Sequence, residues 1–140
     1  MRIFFDNNFP PPLVTFLQYL SKHDNDGHTF DCVDFKYNGV DPGDEVWIAD
    51  LEKENASLPD EENWVVCTKD VGSKDGVIIP LLEGSGLTTF FFRNRWNKMD
   101  AKETSWRIVK AISDIISAAS KRPTRQFHRV KENGTVERID

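Results

Sequence analysis

The sequence has no apolar run approaching the length of a membrane span, and its apolar opening is interrupted at Asp6, before the core of a signal peptide could form. The chain is therefore expected to be soluble and cytoplasmic, with no membrane among its partners. Cysteine is scarce. Cys32 and Cys67 are the only two, each inside an apolar strand-like stretch and without metal-ligand spacing, which points to buried reduced thiols instead of a disulfide or a zinc site. His23, His28 and His128 are scattered, with no HExxH motif near them, so zinc is disfavoured again. Neither a GxGxxG sequence nor a Walker-type glycine loop is present, and a nucleotide cofactor is not implied. Internal repeats and low-complexity segments are also lacking. Basic charge is in the minority: a net charge of -5 and a pI near 5.2 argue against a broad nucleic-acid-coating surface.

Aromatic residues are plentiful. Ten Phe and four Trp, with a charged fraction of 29% that is mixed in sign, describe a globular chain and not a disordered one. Its 140 residues suit a single domain able to bury about two-thirds of its unfolded surface. Within it, 1–120 is read as an α/β core and 121–140 as a basic tail carrying a hairpin.

Two aspartates stand at the ends of buried-looking strands. In RIFFDNN, Ile3, Phe4 and Phe5 run into Asp6; in WVVCTKD, Trp64 to Cys67 run through Thr68 to Asp70. Short runs rich in β-branched and aromatic residues read as strands covered on both faces, which belong to parallel sheets. In such sheets ligands bind outside the carboxyl ends of the strands, where both aspartates would project. Turn formation explains either one alone.

Between these points the pattern alternates. Leu13, Phe16, Leu17 and Leu20 repeat at helical spacing behind Pro10, Pro11 and Pro12, and a polar loop is expected from Lys22 to Gly27. Thr29 to Val33 reads as a strand. Asp41 resembles an N-cap with Pro42 at the first helical position, ahead of Val46, Trp47, Ile48 and Leu51. An exposed loop is expected from Asn55 to Asn63, an irregular helix over 74–83, a strand from Thr88 to Phe92, and a long amphipathic helix from Ala101 to Ser120 with Trp106, Val109, Ile112, Ile116 and Ala119 on its apolar face. Gln126 to Lys131 and Thr135 to Ile139 flank Asn133-Gly134, a strong hairpin signal. The expected fold class is α/β with three layers, a mainly parallel sheet of about four strands flanked by helices, and a C-terminal β-hairpin.

Asp44 and Glu45 open the second long helix, and helix N-termini share an edge with strand carboxyl ends in a βα fold. Capping and dipole complementation account for acids there without a ligand. Should Asp6, Asp44 or Glu45, and Asp70 converge, with Asp75 nearby, carboxylates about 4 Å apart repel by roughly 4 kcal/mol at an effective dielectric near 20, so a proton or a divalent cation must offset them. Oxygen-only ligation suits Mg²⁺ or Mn²⁺, which can orient water for attack on a phosphodiester. Two basic groups are candidates for phosphate contact: Arg93, Arg95 and Lys98 around Trp96, and a tail with Lys121, Arg122, Arg125, Arg129 and Lys131 around His128.

The opening RIFFDNNFP and its helix, the GDEVWI segment, the WVVCTKD strand and the TTFFF strand together resemble the PIN-like ribonuclease domains, particularly those similar to VapC toxins of bacterial toxin–antitoxin pairs. The resemblance extends over nearly the whole chain. It implies a PIN-like fold, a Mg²⁺- or Mn²⁺-dependent endoribonuclease acting on RNA, and an antitoxin partner that binds it and blocks the site. Carried over residue by residue, Asp6, Asp44 and Asp70 match the metal-binding acids, Glu45 is an alternative to Asp44, and Thr68 matches a hydroxyl residue commonly found two positions before the strand-end aspartate. Only Asp75 is a candidate for the fourth acid often present in the family. The 55–63 loop and the hairpin edge are candidate docking surfaces for an antitoxin, or for self-association as a homodimer.

Rival readings are a catalytically silent PIN-like binding or scaffold protein, whose acids merely cap helices and turns, and a phosphotransfer protein of receiver type. The second fits poorly, because Asp6 has Asn7 and Asn8 beside it where a second acid is needed, and the Thr88–Phe92 strand does not end in a lysine.

Overall fold

A computed structural model describes residues 1–69, 78–121 and 125–139. In chain order its elements are β1 (Arg2–Phe5), α1 (Pro11–Asp24), β2 (Thr29–Cys32), α2 (Val33–Lys36), α3 (Asp44–Ala56), β3 (Trp64–Thr68), α4 (Ile78–Gly84), β4 (Thr88–Phe92), α5 (Ala101–Ser120), β5 (Phe127–Val130) and β6 (Val136–Arg138). All six strands form one sheet in the order β2-β1-β3-β4-β5-β6, parallel throughout except for the β5–β6 pair. The class is thus α/β with a mixed, mostly parallel sheet.

The expectation of about four parallel strands is corrected to five, with β6 added antiparallel. The hairpin forms where Asn133-Gly134 placed it, but β5 also pairs in parallel with β4, Phe91 lying opposite Arg129. Gly134 takes φ +88, and a Cβ there would sit 3.7 Å from that of Ala111, so the turn packs closely against α5.

Alternation along the strands builds two cores. Ile3, Phe5, Cys67, Phe90 and Phe92 point to one face and pack with α1 and α5; Phe4, Val66 and Phe91 point to the other with α3 and α4. On the second face Phe4 stacks on Trp47, with ring centroids 5.3 Å apart, and meets Trp64 edge-on at 5.9 Å. Cys32 and Cys67 are buried free thiols, and burial, seconded by the charge of Asp6, holds the Cys67 thiol well above its ordinary pKa.

Several local expectations shift. α1 runs on to Asp24, taking the first three residues of the expected polar loop and leaving Asn25 to Gly27 irregular, and it buries Leu13, Val14, Leu17 and Ser21 with Phe16 half exposed. Val33 opens α2 instead of closing the strand. The apolar face of α5 is centred on the buried Thr104, Ile108, Ala111 and Ile115; of the expected stripe, Val109, Ile112, Ile116 and Ala119 pack partly buried against the same core, while Trp106 is 52% exposed. Asn55 belongs to α3, and Asp60–Glu62 forms a 3₁₀ turn within the expected loop. Asp41 does not cap a helix beginning at Pro42. Its carboxylate accepts from the Gly43 N–H at 2.9 Å, and α3 begins at Asp44 after Gly43 takes φ +95. Asp44 and Glu45 stay in the first turn, as the sequence suggests.

No helix among the described residues is long and apolar enough to cross a membrane.

Candidate functional site

β1 lies between β2 and β3, so the chain leaves β1 toward one side of the sheet and later returns on the other. The carboxyl ends of β1 and β3 therefore flank the point where the winding reverses, and in open α/β sheets the ligand crevice opens there. Asp6 follows β1 directly. Its N–H extends the ladder by donating to the Cys67 carbonyl at 3.1 Å, and its side chain is buried, with 2% exposure of the residue.

Both carboxylate oxygens of Asp6 are held. Oδ1 accepts from the Asn8 N–H at 3.0 Å, an Asx turn that bends the chain away from the sheet, and Oδ2 accepts the hydroxyl of Thr68, the last residue of β3. Alternation explains the second contact: Asp6 shares a face with Phe4, Thr68 shares it with Val66, and β1 and β3 run side by side in register.

Lys69 continues beyond β3 on the opposite face, its Nζ 5.4 Å from the centroid of the Phe9 ring. Partial burial lowers its pKa, and the negative charge of Asp6 acts in the other direction. Lys69 is thus within electrostatic reach of the buried carboxylate. In sequence its only sign is a cation inside WVVCTKD, one step before the strand-end acid.

Asp44 joins this edge from α3. Its Oδ1 accepts from Trp47 Nε1 at 3.0 Å, and Trp47 stacks on Phe4, two residues before Asp6. A second link runs from Asn7 Nδ2 to Asp41 Oδ2 at 2.7 Å, tying the turn after β1 to the turn before α3. The local pattern offers Asp41 only as a helix cap and gives no sign of its bond to Asn7, because a polar pair 34 residues apart carries no local signal. Asp44 is half-buried and Glu45 exposed. Asp70 and Asp75 lie outside the described residues. Among the described residues, no group of three or more His, Cys, Asp or Glu side chains is placed to hold a metal ion.

The basic group around Trp96 is divided by the fold. Arg93 stays extended beyond β4, with its Cζ 5.0 Å from the centroid of the Phe91 ring, on the face that carries Thr68 and Asp6. Trp96 turns to the other face, fully buried, and donates from Nε1 to the Val130 carbonyl at 2.9 Å. Arg95 reaches Glu132 at 3.6 Å and is largely exposed, as is Lys98. His128 is buried against Phe90 with its Nε2 2.9 Å from Gln126 Oε1, so it does not belong to a solvent-facing basic surface.

The chain matches no protein-family model, and no curated protein or solved structure is significantly similar to it.

Proposed function

We propose that the chain is a Mg²⁺- or Mn²⁺-dependent endoribonuclease of the PIN-like kind, and the toxin half of a toxin–antitoxin pair whose antitoxin would cover the same edge. The observation that carries this reading is the buried Asp6 carboxylate at the winding reversal, bound to the Thr68 hydroxyl. A buried carboxylate is costly, and such groups cluster at binding and reacting sites. The Asp6 carboxylate with the Thr68 hydroxyl beside it, and the Asp44 carboxylate at the start of α3, are hard oxygens of the kind that suit a hard divalent cation, and Glu45, Asp70 and Asp75 are the further ligands expected from the sequence. When bound, such a cation supplies charge neutralisation at the phosphodiester.

The chain's own residues do the remainder. Thr68 and the Asn8 N–H fix the orientation of the Asp6 carboxylate, so no reorganisation of that group is needed on binding. Lys69 adds a positive charge within electrostatic reach of Asp6 from the opposite face. Arg93 offers a cation on the substrate side of the edge, while Arg95 and Lys98 are peripheral to it. The test is cleavage of a mixed single-stranded RNA pool with Mn²⁺ or Mg²⁺ by the native protein, Asp6→Asn and Asp70→Asn. Metal-dependent cleavage lost in both folded variants supports the reading; cleavage that persists in both removes it.

One observation favours a second reading, a silent binding module. The Asp6 and Asp44 carboxylates already accept bonds from Asn8, Thr68 and Trp47, as capping and turn acids do. It predicts no cleavage by any variant at high protein concentration.

A further inference from the structure

The two basic groups singled out in the sequence come together differently from their order in the chain. β5 carries Phe127 and Arg129 on the face that β4 gives to Phe91, and Arg129 lies opposite Phe91 in register. Arg125 precedes that row, with its Cζ 5.0 Å from the Phe127 ring centroid, and Lys131 continues it, as shown by its salt bridge to Glu137 at 3.1 Å, the carboxylate that also takes Arg129 at 3.1 Å. Arg93 closes the row at the carboxyl end of β4, against Phe91. The result is a strip of four cations, Arg125, Arg129, Lys131 and Arg93, interleaved with Phe127 and Phe91 and answered by Glu137.

The strip is accessible, although Arg125 donates to the Glu83 and Ser85 carbonyls at 2.7 and 3.0 Å and one carboxylate, Glu137, answers both Arg129 and Lys131. The side chains of Arg129 and Lys131 keep 42% and 47% of their exposure, and Arg125 is exposed. Nε of Arg93 and Nε of Arg129 are buried, so each of these guanidinium groups would meet a ligand through its terminal nitrogens. In a chain of net charge -5, cations gathered on one sheet face are a local reversal of sign. Guanidinium groups held against aromatic rings provide planes on which bases stack, and the same groups take phosphate oxygens. Arg93 connects this row to the Asp6–Thr68 edge, since Phe91 and Thr68 are register partners on neighbouring strands.

We infer that the β4–β5 strip formed by Arg93, Arg125, Arg129 and Lys131 is the track along which single-stranded RNA reaches the edge bearing Asp6. This rests on the ribonuclease reading for what happens at the edge, but binding to the track does not require catalysis. An acidic segment of a protein would meet the same cations. Phe91 is buried and Phe127 packs against the same core, so the planes open to a ligand are the guanidinium groups of Arg93 and Arg125 seated on those rings, which favour a strand with bases to stack, and that is the occupant assigned.

The experiment is fluorescence anisotropy of a labelled oligouridylate of about 12 nucleotides in EDTA, across a salt series, so that cleavage and divalent cations play no part. The native protein is compared with Arg93→Gln, Lys131→Gln and Lys110→Gln, the last removing a cation from the exposed side of α5. Arg93→Gln and Lys131→Gln are expected to weaken binding about 3- to 10-fold at low salt, each reducing the salt slope by about 0.7, with Lys110→Gln unchanged. Lys131 is exposed at the end of β5, so its variant carries the test if Arg93→Gln fails to fold. No binding by the native protein, or an equal loss in Lys110→Gln, overturns the track. Binding of poly-glutamate but not of oligouridylate, lost in Arg93→Gln, would make the strip a protein-docking surface and also overturn it. Asp6→Asn is expected to bind oligouridylate normally. Track binding with no metal-dependent cleavage would remove the ribonuclease reading and leave the track standing; cleavage that depends on Asp6 but ignores Arg93 and Lys131 would do the reverse.

Discussion

Thr68 donates its hydroxyl to Asp6 Oδ2 across 62 residues of sequence, joining the carboxyl ends of two adjacent parallel strands inside the protein. Both partners are buried, so neither finds water if the other is removed. Thr68→Val keeps the shape and deletes the donor. It is expected to cost about 1–3 kcal/mol in urea unfolding, the usual penalty for a buried acceptor that loses a bond, while Thr68→Ser stays close to native. If the ribonuclease reading holds, Thr68→Val also lowers cleavage about 10- to 100-fold, as loss of a group orienting a ligand does. Unchanged stability in Thr68→Val would show that the hydroxyl contact contributes nothing.

Cation binding at Asp6 can be read without any substrate. With Mn²⁺ at about 100 times its dissociation constant, the native protein should gain about 2.7 kcal/mol, seen as a rise of several degrees in Tm that EDTA reverses. Asp6→Asn should show no such rise. Equal shifts in the two proteins would place the cation elsewhere.

Much of this edge was legible because strand ends and helix starts are local signals. The apolar run before Asp6, the apolar run before Thr68, and the acids opening α3 each follow from a few adjacent residues. The misplaced features depend on partners distant in sequence. The stripe of α5 was expected through Trp106 because Trp is apolar, yet the buried positions include Thr104 and Ala111, and Ala111 sits where the hairpin turn at Gly134 approaches closely. A small residue is favoured there by a contact that no periodicity records. Likewise Asp41 was expected as a helix cap from its neighbour Pro42, but it is held by Asn7 from another turn, and the helix opens two residues after Pro42. The sheet gained a fifth parallel strand for the same reason: a hairpin signal is local, whereas the pairing of β5 with β4 is not.

Asp31 gives a pH prediction remote from the candidate site. Half-buried on β2, it has its pKa raised above 3.8 chiefly by desolvation, against the Cys32 N–H and Lys36, which lower it. The folded state therefore holds its proton to a higher pH than the unfolded chain, so this group adds stability on acidification through its raised pKa and subtracts it near neutrality. Asp31→Asn, which can still accept from the Cys32 N–H, should be more stable than the native protein at pH 7. That advantage should shrink as the pH falls toward 3.8. An advantage that is the same at both pH values would remove desolvation of the carboxylate as its cause.

Trp96 separates packing from recognition in the basic segment after β4. Its indole is fully buried, meets Phe92 edge-on at 4.9 Å, and gives its Nε1 proton to the Val130 carbonyl on β5. A Trp flanked by Arg95 and Lys98 looks in sequence like a surface for stacking a base, yet the ring fills the core between β4 and α5. Trp96→Ala should therefore cost about 3–5 kcal/mol of stability. Trp96→Phe retains most of the buried ring but leaves the Val130 carbonyl without its donor, at a cost of about 1–3 kcal/mol. Affinity of the folded Trp96→Phe protein for oligouridylate should equal that of the native protein, because nothing solvent-facing has changed. A loss of affinity without loss of stability would assign the indole to the RNA instead of to the core.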